Sequence, residues 1–248
     1  MKRIAFAIEK GGTAKTTCAV HLSYALASLG RTVLLVDTDT QDQCASHLGL
    51  EQFRPGLAEI MLGLATPKDC VVQARPRLFL LPAGEKLPAV KFRLMDIAGQ
   101  AGVEPTRMLE TALGFTREAK LDYVIVDSAP GSDPFLVNVL LFSETIIVPV
   151  PPEMLAVRGM VRFFHTVRLL GRDVTHILPT LHDRRVAKTA RIVAKLREKY
   201  PDKVLEPISY TSAISEAAGA GLTLFEYQPR QRAAQEYLEL ARTLDQGA

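Results

Sequence analysis

Lys10, Lys15 and Thr16 stand in the run Glu9-Lys10-Gly11-Gly12-Thr13-Ala14-Lys15-Thr16-Thr17, where two cations and a cluster of hydroxyls surround adjacent glycines. That mixture suits a polyanion. Backbone N–H groups of such a turn converge on one point, and a phosphate chain is the natural ligand for a nest of donors. Lys15 is then placed to reach β- and γ-phosphates, and the Thr16 hydroxyl to meet Mg²⁺. The other candidates are acids. Asp37 and Asp39 alternate at the end of one apolar run, so they point to opposite sides and have different tasks. Asp127 closes a second such run, the arrangement in which a carboxylate holds a magnesium-bound water.

These residues need elements to hold them. Residues 3–8 have the length and apolarity of a strand, and residues 16–29 carry Val20, Ala25, Leu26 and Leu29 at helical spacing, with Gly30 as the stop. The turn thus lies between strand and helix. Residues 32–36 and 121–126 read as strands buried on both faces, and residues 78–83, 144–151 and 174–178 as further strands. Residues 44–63 read as short helical pieces, and residues 106–120, 154–170 and 229–244 as helices, while 84–104 give no clear assignment. The alternation predicts one α/β domain over residues 1–248, a doubly wound and mainly parallel sheet.

The 248 residues are 48% apolar, enough for a substantial core. A net charge of +3 is far below that of a protein that coats nucleic acid, so any polyanion surface must be a local patch. Cys18, Cys44 and Cys70 form no C-x-x-C pair and suggest neither disulfide nor zinc site. The chain enters a strand after Lys2 and Arg3, leaving no room for a signal peptide, and it has no run of membrane-spanning length. A cytoplasmic protein without membrane contact is expected.

The strict phosphate-loop pattern G-x-x-x-x-G-K-[ST] is not met, because Glu9 and Ala14 occupy its glycine positions. The spacing K-G-G-x-x-K-T resembles instead the deviant Walker A motif of the ParA/MinD group of P-loop ATPases, in particular its ParA/Soj type. The resemblance spans nearly the whole chain. It implies that Gly11, Gly12, Thr13, Ala14, Lys15, Thr16 and Thr17 bind ATP, and that Lys10 reaches across the interface of an ATP-sandwich homodimer. Ala14, where glycine is usual, constrains the loop. Asp37, Asp39 and Gln41 match the switch I pattern D-x-D-P-Q, with Thr40 replacing proline and loosening the switch. By that match Asp39 orients the attacking water, and Asp37 supports Mg²⁺ and loop geometry; a second reading has Asp37 capping the next helix. Asp127-Ser128-Ala129-Pro130 resembles switch II, so Thr16, Asp37 and Asp127 form the implied metal set. Thr180 falls in the segment that lines the adenine, and residues 154–170 correspond to a dimer-facing helix.

The implied activity is slow Mg-ATP hydrolysis that switches binding to nonspecific DNA and a ParB-like adaptor, for DNA segregation or positioning. Arg184, Arg185, Lys188, Arg191 and Lys195 crowd one helix and its flank. They form either a solvated face or a phosphate-backbone site. Tyr210 and Ala213 stand where the family carries arginines, which keeps open a switch that positions a protein cargo, or regulates a protein partner, without touching DNA. An iron–sulfur reductase of the same superfamily is disfavoured because no cysteine follows Cys70. A membrane-cycling relative is disfavoured by the short tail Asp245-Gln246-Gly247-Ala248.

Overall fold

The computed structural model of the protein describes residues 1–50, 54–97, 105–132 and 134–247. Its strands are the runs of aliphatic and β-branched residues: β1 (Lys2–Phe6), β2 (Val33–Asp37), β3 (Val72–Arg75), β4 (Leu78–Leu81), β5 (Tyr123–Asp127), β6 (Thr145–Val150) and β7 (His176–Pro179). They form one sheet in the order β3-β4-β2-β5-β1-β6-β7. Every neighbouring pair is parallel except β3 with β4.

Helices cover both faces, which is why β2 and β5 are buried at every position. They are α1 (Lys15–Ser28), α2 (Gln43–His47), α3 (Leu57–Met61), α4 (Pro67–Cys70), α5 (Leu87–Ile97), α6 (Met108–Ala112), α7 (Pro134–Phe142), α8 (Met154–Leu169), α9 (Ala187–Lys199), α10 (Ala213–Gly219), α11 (Leu224–Tyr227) and α12 (Arg232–Gln246). Alternate residues of β1 and Ala7 just past it divide the core. Ile4 and Phe6 pack with Leu22, Leu26, Tyr237 and Leu240 of α1 and α12. Ala5 joins Leu94, Leu109 and Val139 of α5, α6 and α7, and Ala7 joins Met160, Phe163 and Ile192 of α8 and α9.

The connection from β1 to β2 passes over β5, and that from β5 to β6 passes over β1. The strand order therefore changes direction beside β1, and the crevice beyond the carboxyl ends of β1, β5 and β2 is where such sheets take ligands. The phosphate-loop run, Asp37 and Asp127 all emerge there.

The doubly wound sheet agrees with the sequence reading. Residues 106–120 do not form one helix: 3₁₀ turns at Pro105–Arg107 and Gly114–Arg117 flank α6, because Gly114 interrupts the pattern. Strand β3 and helix α5 add elements to stretches left unassigned, and residues 98–104 of the unassigned 84–104 stretch lie outside the described residues. Among the described residues no helix is long and apolar enough to cross a membrane.

Candidate nucleotide-binding site

The loop between β1 and α1 turns through two left-handed residues, Gly12 at φ 68° and Ala14 at φ 69°. Such alternation aims successive N–H groups into one concavity. Ala14 is also the residue before α1, and no side chain caps that helix and no acid stands in its first turn. The first N–H groups of α1 are therefore available to an anion, with the positive end of the helix dipole behind them.

These groups open into a cleft of about 330 Å³ lined by Gly11, Gly12, Thr13, Ala14, Lys15, Thr16, Thr17 and Asp39, with Gln41, Gln43, His47 and Pro130 as further walls. Lys15 is buried, and its Nζ donates to the Lys10 carbonyl oxygen at 3.2 Å. Burial lowers its pKa, and the charges of Asp127 and Asp39 oppose that shift. The Lys10 side chain lies outside the lining of this cleft.

Asp127 is wholly buried at the end of β5. Burial pushes its carboxyl upward, while the neighbouring Thr16 hydroxyl and the Lys15 ammonium pull it back. Its Oδ1 has no hydrogen-bond partner among the described residues. An unsatisfied carboxylate oxygen is costly in such a place unless a cation meets it. Asp37 is differently engaged. Its Oδ1 accepts the Asp39 N–H at 2.8 Å and its Oδ2 the Cys44 N–H at 3.0 Å, so it folds the switch I turn onto the start of α2. Both readings of Asp37 meet in this geometry, since ligand atoms of Asp37, Asp127 and Cys44 lie within 4.8 Å of one another. The oxygens and the Thr16 hydroxyl suit a hard cation such as Mg²⁺, which takes oxygen ligands. The Cys44 thiol, raised by burial and by the neighbouring acids, donates to Asp127 Oδ2 at 3.6 Å.

Asp39 borders the cleft, and its Oδ1 accepts the Gln41 N–H at 3.1 Å. Thr38 ties this turn to β5 through both its N–H and its hydroxyl, which donate to the Asp127 carbonyl. Switch I is anchored on either side of Thr40 without a proline.

Thr180, just past β7, donates its hydroxyl to the Thr13 carbonyl at 3.0 Å. Two residues on, His182 enters a second cavity of about 400 Å³ shared with Tyr210, Ser212, Gln231 and Arg232. The His182 ring is only 8% exposed, and neither ring nitrogen has a partner among the described residues. Sequence reasoning missed this residue, because a lone histidine two positions after a strand carries no motif.

Of the basic residues, Lys188, Arg191 and Lys195 are exposed on one stripe of α9. Arg184 and Arg185 precede the helix and are partly engaged, Arg185 with Asp183 at 2.7 Å and Arg184 with Glu236 at 3.9 Å. The structure thus joins the loop, switch and acid residues in one cleft, leaves Lys188, Arg191 and Lys195 on a separate surface, and puts Arg184 and Arg185 in the wall of the His182 cavity. Cys18, Cys44 and Cys70 are all buried free thiols.

Residues 1–179 match a family model described as an AAA domain. The chromosome-partitioning ATPase Soj of Thermus thermophilus is 32% identical, over 97% of this chain and 94% of its own length. The chromosome partitioning protein ParA of Caulobacter vibrioides is 29% identical, over 98% of this chain and 93% of its own. Among solved structures, cobyrinic acid a,c-diamide synthase from Mycobacterium smegmatis with bound ADP and magnesium superposes with a TM-score of 0.81 at 28% identity, over 99% of this chain and 94% of that one. Matched through β7 by the family model and end to end by Soj and ParA, the chain belongs to the ParA/Soj family of P-loop ATPases.

Proposed function

We propose that the chain binds Mg-ATP in the cleft at the carboxyl ends of β1, β5 and β2, dimerises around it, and uses slow hydrolysis to switch its hold on nonspecific DNA and an adaptor protein. The observation that carries this reading is the convergence of three groups on one point: the uncapped start of α1, the buried Lys15 ammonium and the Thr16–Asp127 pair.

Each group has a task. The loop N–H groups and Lys15 hold the β- and γ-phosphates and stabilise charge that develops during transfer. Thr16 and Asp127 hold Mg²⁺, and Asp37 keeps the switch I turn in place beside them. When bound, Mg²⁺ neutralises phosphate charge. Asp39, on the cleft wall, orients the attacking water, and Lys10, whose side chain is not committed to its own cleft, serves the partner subunit's nucleotide. Thr180 leads from the loop to the cavity at His182 and Gln231, which takes the base. Such a site positions and neutralises, and asks for little covalent chemistry.

The stripe of Lys188, Arg191 and Lys195 on α9, without an ion pair among the described residues, supports a backbone-reading DNA surface, since three cations on one face match a line of phosphates. The test is binding of a nonspecific duplex with ADP, ATP or a non-hydrolysable analogue at two salt concentrations, with a K188E/R191E/K195E variant alongside. ATP-dependent, salt-weakened binding that the variant loses is expected. A second reading, an ATP switch that positions or regulates a protein, rests on Tyr210, 56% exposed where the family has arginine. ATP-dependent dimerisation without DNA binding replaces the first reading by the second.

A further inference from the structure

Asp37 and Asp127 are register partners at the ends of the paired parallel strands β2 and β5, and both are wholly buried. Two carboxylates side by side in such a place repel each other and ask for a cation or a shared donor between them. Cys44, in the first turn of α2, comes down on the pair. It too is buried, its sulfur lies 3.6 Å from Asp127 Oδ2, and ligand atoms of all three residues fall within 4.8 Å of one another. One oxygen of the set, Asp127 Oδ1, has no hydrogen-bond partner among the described residues. No C-x-x-C spacing announces this group, because its members come from three elements that only the fold brings together.

We propose that Asp37, Cys44 and Asp127 form a site for a thiophilic divalent ion of the Zn²⁺ class, and that this ion and Mg-ATP exclude each other. Only the exclusion rests on the reading of the adjoining cleft as a Mg-ATP site. The donor set decides the metal. Mg²⁺ takes oxygen ligands in octahedral geometry and gains nothing from sulfur, whereas Zn²⁺ combines thiolate with carboxylate. The spacing agrees. Zinc bonds of about 2.3 Å to sulfur and about 2.0–2.2 Å to oxygen, opened to a tetrahedral angle, set the two ligand atoms about 3.6 Å apart. On binding, the thiol releases its proton to water and the sulfur takes the metal in its place. Two carboxylates and a thiolate then exceed the charge of the ion by one, and the Lys15 ammonium, whose charge acts on Asp127, offsets the excess. Thr16, beside Asp127, and Gln43, beside Cys44, line the cleft, which gives a small ion its way in. An ion held there fastens the start of α2 to the end of β5 and engages the carboxylates that Mg²⁺ would otherwise use.

Cadmium is the probe, because a cadmium–thiolate bond gives an ultraviolet charge-transfer band that oxygen ligands do not. Titrated into the full chain without nucleotide, Cd²⁺ is expected to raise this band stoichiometrically, and Zn²⁺ to remove it by competition. Cys44→Ser should abolish the band, and Asp127→Asn should weaken cadmium binding at least tenfold, both in variants that still melt cooperatively. Cys18→Ala and Cys70→Ala should leave the band in place. No band in the parent chain, a band that survives in Cys44→Ser, or one that disappears in Cys18→Ala or Cys70→Ala overturns the proposal. Mg-ATP, its own binding first established by titration, should weaken cadmium binding at least tenfold. Cadmium binding unmoved by bound Mg-ATP overturns the proposal equally. A chain that shows the thiolate band yet takes up no Mg-ATP supports the metal site and refutes the reading of the cleft instead.

Discussion

At the scale of single residues, the loop carries a cost that the sequence shows only as a missing glycine. Ala14 adopts a left-handed conformation at φ 69° and ψ 32°, which disfavours a Cβ by about 1–2 kcal/mol. Glycine would remove that strain but gain freedom in the unfolded chain worth about 0.4–1 kcal/mol. Ala14→Gly is therefore expected to stabilise the protein by about 0.5 kcal/mol, a rise of about 1–2 °C in Tm for a chain of this size, read by calorimetry. Lys15→Ala removes the one lysine or arginine that lines the cleft among the described residues and should abolish ATP binding and hydrolysis; turnover at the parental rate would refute the site. Much of this region was legible from spacing, because the loop residues are contiguous and their geometry is local. The separate engagement of Asp37 and Asp127 was not, since Asp37 is held by N–H groups of its own turn while the Cys44 thiol reaches Asp127 from 83 residues away.

At the scale of elements, α1 is fixed at both ends by different chemistry. Its first turn faces the cleft. Further along, His21 Nδ1 bonds the Thr17 carbonyl, its Nε2 accepts the Leu224 N–H at 3.0 Å, and its ring stacks on Tyr237 of α12 at 5.0 Å. Burial lowers its pKa from 6.5 to about 4. Between those values the unfolded chain binds a proton that the folded chain refuses, so stability falls as pH falls, by about 3 kcal/mol in all. Asp127, whose folded carboxyl is raised, contributes a slope of opposite sign over the same window, so the difference between parent and His21→Leu in denaturant melts from pH 7 to 4 is what should show the histidine slope. The same variant should lose about 1–3 kcal/mol at pH 7, because the buried Leu224 N–H is left without a partner. Long apolar runs such as β2 and β5 could be read directly from the chain. Strand β3 could not: Val72-Gln73-Ala74-Arg75 is short, mixed in polarity and shifted in register against β4, and its place is set by pairing rather than pattern. The histidine pin was equally hidden, for its partners lie more than two hundred residues away.

At the scale of the whole molecule, the cleft and the exposed face of α8 are distinct surfaces. Lys10→Ala should therefore leave ATP binding by the monomer intact and remove ATP-dependent dimerisation, measured by sedimentation; a dimer that persists contradicts its action in trans. One residue joins the surfaces. Glu9 accepts the Gly131 N–H on its carbonyl at 2.7 Å and the Thr166 hydroxyl of α8 on its carboxylate at 3.4 Å, immediately before Lys10. Loop, switch II and α8 thus share a single joint. Thermodynamic linkage gives that joint a meaning: if nucleotide at the loop alters the affinity of whatever lies on α8, that occupant must alter nucleotide affinity by the same factor. The two ligands need never touch, and Thr166→Val, which deletes one arm of the joint while leaving both sites standing, is where their reciprocity would be lost first.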